Sequence, residues 1–315
     1  MSSERGAGTV DRLFRRPMMI GRLWLPAPGL LVMAMIGAVF LLVVAVYRWP
    51  VPADELSYYI GARRLIDGVP LYDPNATAVT PYAYRYPPVL AQVLVPLALV
   101  LSPEVFSAVW TGLLMGCLWW LAGRDIWVML ALIAFPPIAV ELWFRNIHLV
   151  LAVVLVLGLR RWSGFFPIGA SIKLAPGLGI VYMAAARRWR QVAIALGLGI
   201  GILLVSVAMS PAAWAQFIDI TLARGAMDQS GFVAIPYLWR FAMGVVLAVM
   251  AGLLRPRLGE PMLVVAVTVA SPTLWFTALS TLAALYPLMR PTWDPQSAGL
   301  IDATRAPRPD RFGLR

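Results

Sequence analysis

Long apolar runs separated by short arginine-bearing loops set the pattern of this chain. Gly29 to Tyr47 is charge-free, and comparable runs cover Val105 to Ala122, Ile126 to Phe144, Ile147 to Leu159, Gly164 to Ala186, Val192 to Met209, Phe232 to Leu254 and Pro261 to Met289. A helix that crosses a bilayer needs ~20 mostly apolar residues, so these runs read as spans. With the shorter, proline-rich Pro87 to Leu101 they number about nine. Neither strand alternation nor ten-residue amphipathic repeats occur, and only helices and closed barrels satisfy the backbone inside hydrocarbon. The pattern predicts an all-α fold, a polytopic membrane helix bundle of about 8–10 transmembrane segments.

Composition agrees. The 315 residues are 61% hydrophobic and 13% charged with a mean hydropathy of +0.79, which places the chain in a lipid bilayer rather than in water. A net charge of +11 would raise nucleic acid as a partner, but the arginines flank apolar runs, where they orient helices and meet anionic headgroups. No nucleic acid is expected. Cys117 is the only cysteine, so neither a disulfide within the chain nor a thiolate zinc cage can form.

Three regions follow. Residues 1–28, with Arg12, Arg15, Arg16 and Arg22 and no small-residue cleavage site, read as a cytoplasmic basic tail. Residues 29–290 form the transmembrane domain, and residues 291–315 form a tail too poor in apolar side chains to order itself. Within the domain, residues 48–86 are the longest polar stretch between spans and face the extracytoplasmic side if the first span runs outward. Leu56, Tyr59, Ile60, Ala62 and Leu65 recur at roughly helical spacing before breaks at Asp67-Gly68 and Asp73-Pro74, which predicts a short surface helix and turns. If Pro87 to Leu101 only dips into the bilayer, Arg160, Arg161, Arg255 and Arg257 become cytoplasmic while Arg145, Asn146 and His148 join the outer face. The Ala175-Pro176-Gly177 break within Gly164 to Ala186 predicts a broken or re-entrant helix, and Pro272 a break in the last run. The setting is a multi-pass protein of the cell membrane.

Few residues can carry chemistry. Five of the fifteen acids, Glu4, Asp11, Asp294, Asp302 and Asp310, fall in the tails, and Asp67 and Asp73 sit in turn contexts where carboxylates bond their own backbone. Asp54 and Glu55 remain just beyond the first span, where a lipid headgroup and a water-soluble acceptor meet. Asp54 is the candidate general base, and its competing role is an N-cap for a helix beginning near Leu56. Lys173, the only lysine, lies in an uncharged apolar segment. Burying it costs ~2.5 to 3.5 kcal/mol, so it needs an anionic partner such as Glu141 or a lipid phosphate, unless it snorkels to an interface. His148, the only histidine, clusters with Glu141, Arg145 and Asn146, either as an interfacial hydrogen-bonding residue or as a contact to phosphate or sugar. Arg63, Arg64, Arg85 and Arg240 are further anion-recognition candidates. No P-loop, Gly-rich phosphate turn or Asp-x-Asp pair for a nucleotide-bound metal occurs.

Asp54 with Tyr58-Tyr59, Ala62-Arg63, Gly68 and Leu71-Tyr72-Asp73-Pro74 resembles the first outer loop of glycosyltransferase family 87. Tyr86-Pro87-Pro88, Pro96-Leu97, Arg145-Asn146-Ile147-His148, Ile172-Lys173-Leu174-Ala175-Pro176 and Arg187-Arg188-Trp189-Arg190 continue the resemblance in order. Glu55, where an aromatic is usual, and Arg145, in place of a glycine, depart from it. The resemblance implies a GT-C membrane fold and transfer of a sugar, mannose favoured, from a polyprenyl-phosphate donor to an extracytoplasmic lipid or glycan acceptor with inversion. It also implies that Asp54 acts as the base. Lys173, His148, Arg85, Asn146, Glu55, Tyr58 and Tyr59 are then the candidate donor-phosphate and substrate contacts. No metal site is assigned, and the lipid-linked sugar enters as co-substrate rather than cofactor. The competing class is a transporter or flippase of a lipid-linked or polyol substrate with Lys173 at its binding site.

Overall fold

A computed structural model describes residues 18–20, 23–25, 54–73, 75–76, 80, 82–225, 235–272 and 274–290. The expected first span, Gly29 to Tyr47, and the C-terminal tail lie outside the described residues. Helices dominate, as the apolar runs require. Among the described residues the departure from an all-α chain is a small antiparallel hairpin in the basic N-terminal stretch, β1 (Met18–Ile20) with β2 (Leu23–Leu25).

Proline and capping residues divide the runs. The polar loop yields α1 (Asp54–Ile66), which buries Glu55, Tyr58 and Ala62 on one face at helical spacing. It packs on α2 (Pro88–Val100). At 13 residues α2 spans ~20 Å, short of a ~30 Å hydrocarbon core. Ser102 caps α3 (Pro103–Leu121) by accepting from the Val105 amide, with Pro103 at the first helical position. Asp125 caps α4 (Ile126–Ala134) through the Trp127 and Val128 amides. Pro136 then forces Phe135 out of the helical region, so α5 (Pro136–Phe144) leaves α4 at 85°.

Beyond the left-handed Arg145 come α6 (His148–Arg160) and α7 (Phe165–Ala170), a 3-10 turn Ala175–Gly177, and α8 (Leu178–Ala185). The run Gly164 to Ala186 is therefore broken at Pro176, as its sequence predicts. The remaining helices are α9 (Trp189–Met209), α10 (Pro211–Gly225), α11 (Tyr237–Leu253), α12 (Pro256–Val269), a 3-10 segment Phe276–Ala284 and α13 (Leu285–Met289). The last apolar run breaks between Val269 and Phe276, around Pro272. Among the described residues α3 and α9 are long and apolar enough to cross a membrane, and the α4–α5 pair is a third if taken as one bent span. This is a membrane protein.

Buried polar groups lock the helices together. Arg240 of α11 is nearly fully buried and donates to the carbonyls of Ile235, Ser271 and Pro272, which clamps the end of α12. Gln92 of α2 exchanges hydrogen bonds with Ser206 of α9, and Ser280 Oγ donates to the Pro137 carbonyl of α5. At the far end of α6 from His148, Arg160 pairs with Glu260 of α12 at 2.9 Å.

Phe166 fills the space between α6 and α8 because both face it with glycine. A Cβ on Gly158 would lie 2.7 Å from its ring, and one on Gly179 only 2.1 Å. Gly179→Ala is expected to destabilise the fold by about 1–3 kcal/mol through overpacking. Thermal unfolding in lipid nanodiscs measures this, with Gly197→Ala, which meets nothing within 4 Å, as a control expected to hold or slightly raise the midpoint.

Candidate functional site

The site gathers where α1, the α5–α6 turn and the α7–α8 break meet. Asp54 occupies the first turn of α1, and its Oδ2 accepts from Asn146 Nδ2. The orientation of that amide is fixed by what surrounds its oxygen. Asn146 Oδ1 accepts from the Ile147 amide at 2.7 Å, the Tyr58 hydroxyl at 3.3 Å and the Tyr86 hydroxyl at 3.5 Å, so the NH2 group must face the carboxylate. The two tyrosine hydroxyls lie 3.0 Å apart with their rings edge to face. Burial pushes both phenols up, so both remain protonated donors. Of the two roles open to Asp54 from the sequence, the carboxylate is engaged with Asn146 across the fold.

A second chain of polar groups runs beside the first. Glu141 on α5 is fully buried, and its Oε1 accepts from the His148 amide at 2.5 Å and the Leu149 amide at 3.3 Å, closing the N-terminus of α6. Its Oε2 takes the His148 Nδ1–H at 3.0 Å. A carboxylate can only accept, so the proton sits on Nδ1 and Nε2 presents a lone pair. Lys173 Nζ, from the α7–α8 break, donates to that lone pair at 2.8 Å and lies 5.3 Å from the centre of the Tyr86 ring. Of the anionic partners the sequence offers Lys173, the Glu141 carboxylate lies behind His148.

Asp54 faces this cation. Burial pushes the Asp54 carboxyl up, and Lys173 and the Asn146 hydrogen bond pull it back, leaving it at about 6. Such a group is ionised at neutral pH yet basic enough to accept a proton.

The candidate contacts divide accordingly. Asp54, Tyr58, Asn146, His148 and Lys173 converge. Tyr59, Glu55 and Arg85 lie apart from them. The Tyr59 hydroxyl donates to the Leu101 carbonyl, because its position on α1 turns it toward Phe106. Glu55 is turned by the same helix into a contact with Ser107 and Arg145. Arg85 is exposed and donates to the Thr80 carbonyl. Arg63 pairs with Asp67, Arg64 donates to the Pro70 carbonyl, and Asp73 closes its own turn through the Asn75 amide. Tyr86 and the bridging role of Glu141 escaped the sequence reading. A tyrosine directly before the Pro87-Pro88 start of a helix, and an acid within an apolar run, were the available signals. Among the described residues no three His, Cys, Asp or Glu side chains converge as metal ligands.

Asp54, whose carboxyl burial makes more basic, and Lys173, held by His148, belong to one polar cluster in a membrane protein. The chain belongs to glycosyltransferase family 87, whose sequence pattern matches residues 84–298, and it is a glycosyltransferase. No curated protein and no solved structure matches it.

Activity that depends on ionised Asp54 rises with pH through about 6, since the carboxylate acts only when deprotonated. Asn146→Ala removes a donor that favours the charged form and shifts this acid limb to higher pH. Rate against pH for the two proteins checks this, and a wild-type limb near the ordinary carboxylate value of 3.8 would exclude Asp54 as its source.

Proposed function

We propose that this multi-pass membrane enzyme of GT-C type transfers a sugar, with mannose favoured, from a polyprenyl-phosphate donor to an extracytoplasmic lipid or glycan acceptor, inverting the anomeric centre. The observation that carries the reading is the arrangement of Asp54 opposite Lys173, with the lysine held by His148 and Glu141.

In this mechanism Asp54 removes the proton of an acceptor hydroxyl as its oxygen attacks the anomeric carbon. The bond from that carbon to the phosphate oxygen breaks, and polyprenyl phosphate departs with the electron pair. The negative charge gathering on the leaving oxygen is met by the Lys173 ammonium, whose position is set before the reaction begins. His148 spends Nε2 on Lys173 and Nδ1–H on Glu141, so its part is to aim the lysine rather than to bind phosphate. Asn146 and the two tyrosines hold the base. The apolar helices accommodate the polyprenyl chain in the bilayer, which suits a donor whose only strongly polar part is the sugar phosphate. The lack of nucleotide-binding motifs supports the same donor class.

Sugar transfer from radiolabelled polyprenyl-phosphate mannose by purified protein in nanodiscs tests the reading. Asp54→Asn is expected to lower kcat by about 10²- to 10⁴-fold, the usual contribution of a general base. Lys173→Ala is expected to lower it by about 10²- to 10³-fold. Full transfer by Asp54→Asn would remove the base assignment, and failure of wild type with every polyprenyl-linked sugar would remove the donor assignment.

A further inference from the structure

Two consecutive residues of α1, Asp54 and Glu55, meet two consecutive residues of the α5–α6 turn, Arg145 and Asn146. Asp54 is bonded to Asn146, and Glu55 Oε1 lies 2.9 Å from Arg145 Nε. The same two dipeptides are therefore joined twice. Helix α3 braces both ends of the second link, because Ser107 Oγ donates to Glu55 Oε1 at 2.7 Å and Trp110 Nε1 donates to the Arg145 carbonyl at 2.9 Å. The Trp110 ring also packs 5.1 Å from that of Tyr58, which bonds Asn146.

Stability does not account for this link. A buried ion pair is often matched or bettered by an apolar pair of similar volume. Here Glu55 Oε2 is buried without a hydrogen-bond partner, and the Arg145 Nε contact lacks hydrogen-bond geometry. Arg145 also holds φ at +52°, in the left-handed region that favours glycine. Unpaired polar atoms and an unfavourable backbone at one point mark a place where geometry matters more than stability.

We infer that Glu55 and Arg145 are positioning residues, a buried ion pair that holds the first turn of α1 against the α5–α6 turn so that the Asp54 carboxylate is aimed at the acceptor hydroxyl. The inference rests on Asp54 being the base. Glu55 is engaged with Ser107 and Arg145 rather than with Asn146 or Lys173, and Arg145 Nε is turned toward it. The pair acts through Asp54 and Asn146. A base displaced by about 1 Å loses up to about 100-fold in rate, while the donor, held by Lys173, binds as before.

The test is a set of kinetic measurements in nanodiscs with polyprenyl-phosphate mannose, using Glu55→Gln, Arg145→Gln, the double variant, Arg145→Lys and Asp54→Asn. Glu55→Gln keeps the size of the side chain and an acceptor for Ser107, and Arg145→Lys keeps the charge, so both preserve packing. Either Gln variant is expected to lower kcat about 10- to 100-fold with donor KM within about twofold of wild type. The double variant should be no slower than the slower single one, because a shared link can be lost only once. Arg145→Lys should retain kcat within about threefold. The loss of kcat at unchanged donor KM is a readout that a packing role would not give, and the acid limb confirms that the base concerned is Asp54. Asp54 is faced by Lys173, Glu141, Glu55, Asn146, Tyr58 and Tyr86, and removing the Glu55 charge shifts its limb to lower pH. Wild-type kcat in both Gln variants overturns the inference. So does a rise in donor KM at unchanged kcat, which would make Arg145 a phosphate contact, and so do losses that multiply in the double variant. Full activity in Asp54→Asn overturns the base assignment itself, a result separable from any behaviour of the pair.

Discussion

A charge in an apolar interior persists only where other polar groups receive it, and Lys173 imposes that condition on the whole centre. Its ammonium donates to a histidine whose lone pair is available only because Glu141 holds the proton on the other ring nitrogen. Glu141 is in turn kept in place by the first amides of α6. One carboxylate thus caps a helix, sets a tautomer and balances a lysine. Losing it would strip α6 of its N-terminal partner and turn His148 loose together. The Asp54, Asn146, Tyr58 and Tyr86 group stands beside this chain, where burial makes the Asp54 carboxylate more basic and the lysine keeps it ionisable.

The backbone supplies three of these groups where it stops being helical. Asn146 follows the left-handed Arg145, Lys173 lies in the gap before the Pro176 turn, and Tyr86 precedes the proline-led start of α2. Non-helical backbone inside a membrane protein is tolerated where it is buried in protein or lines a cavity, because its amides and carbonyls must find partners. Here the partners are the site's own side chains. Asn146 Oδ1 takes the Ile147 amide, and Glu141 takes the next two. Satisfying the breaks and building the site are one structural task.

Much of this was legible from local pattern. The helical spacing from Leu56 to Leu65 marked α1, and the Ala175-Pro176-Gly177 triplet and Pro272 marked the two breaks, since proline acts on its immediate neighbours. Lys173, the only lysine, and His148, the only histidine, drew attention by their setting. What stayed hidden depends on contacts between distant segments. The 85° turn at Pro136 made one apolar run into two helices, although its length alone read as a single span. The bond from the Asp54 carboxylate across the fold could not be read without Asn146 in place. Glu55 and Arg145 each appeared as a separate departure from the family pattern, and only the fold brings them into one ion pair.

Charge burial alone does not distinguish a chemical cation from a structural one, and this protein contains both. Arg240 is buried among the helices and Lys173 half-buried, and their donors are spent differently. The planar guanidinium has five N–H groups in a fixed fork, and those of Arg240 reach the carbonyls of Ile235, Val269, Ser271 and Pro272, which close the end of α12. An ammonium has three donors on a flexible stem. In Lys173 one goes to His148, and the Tyr86 ring lies 5.3 Å away. A guanidinium whose fork is spent on carbonyls fastens a helix, whereas an ammonium with donors in reserve can take a phosphate oxygen. The difference follows from counting donors against acceptors, and it is why the proposed mechanism assigns the leaving group to Lys173 rather than to Arg240.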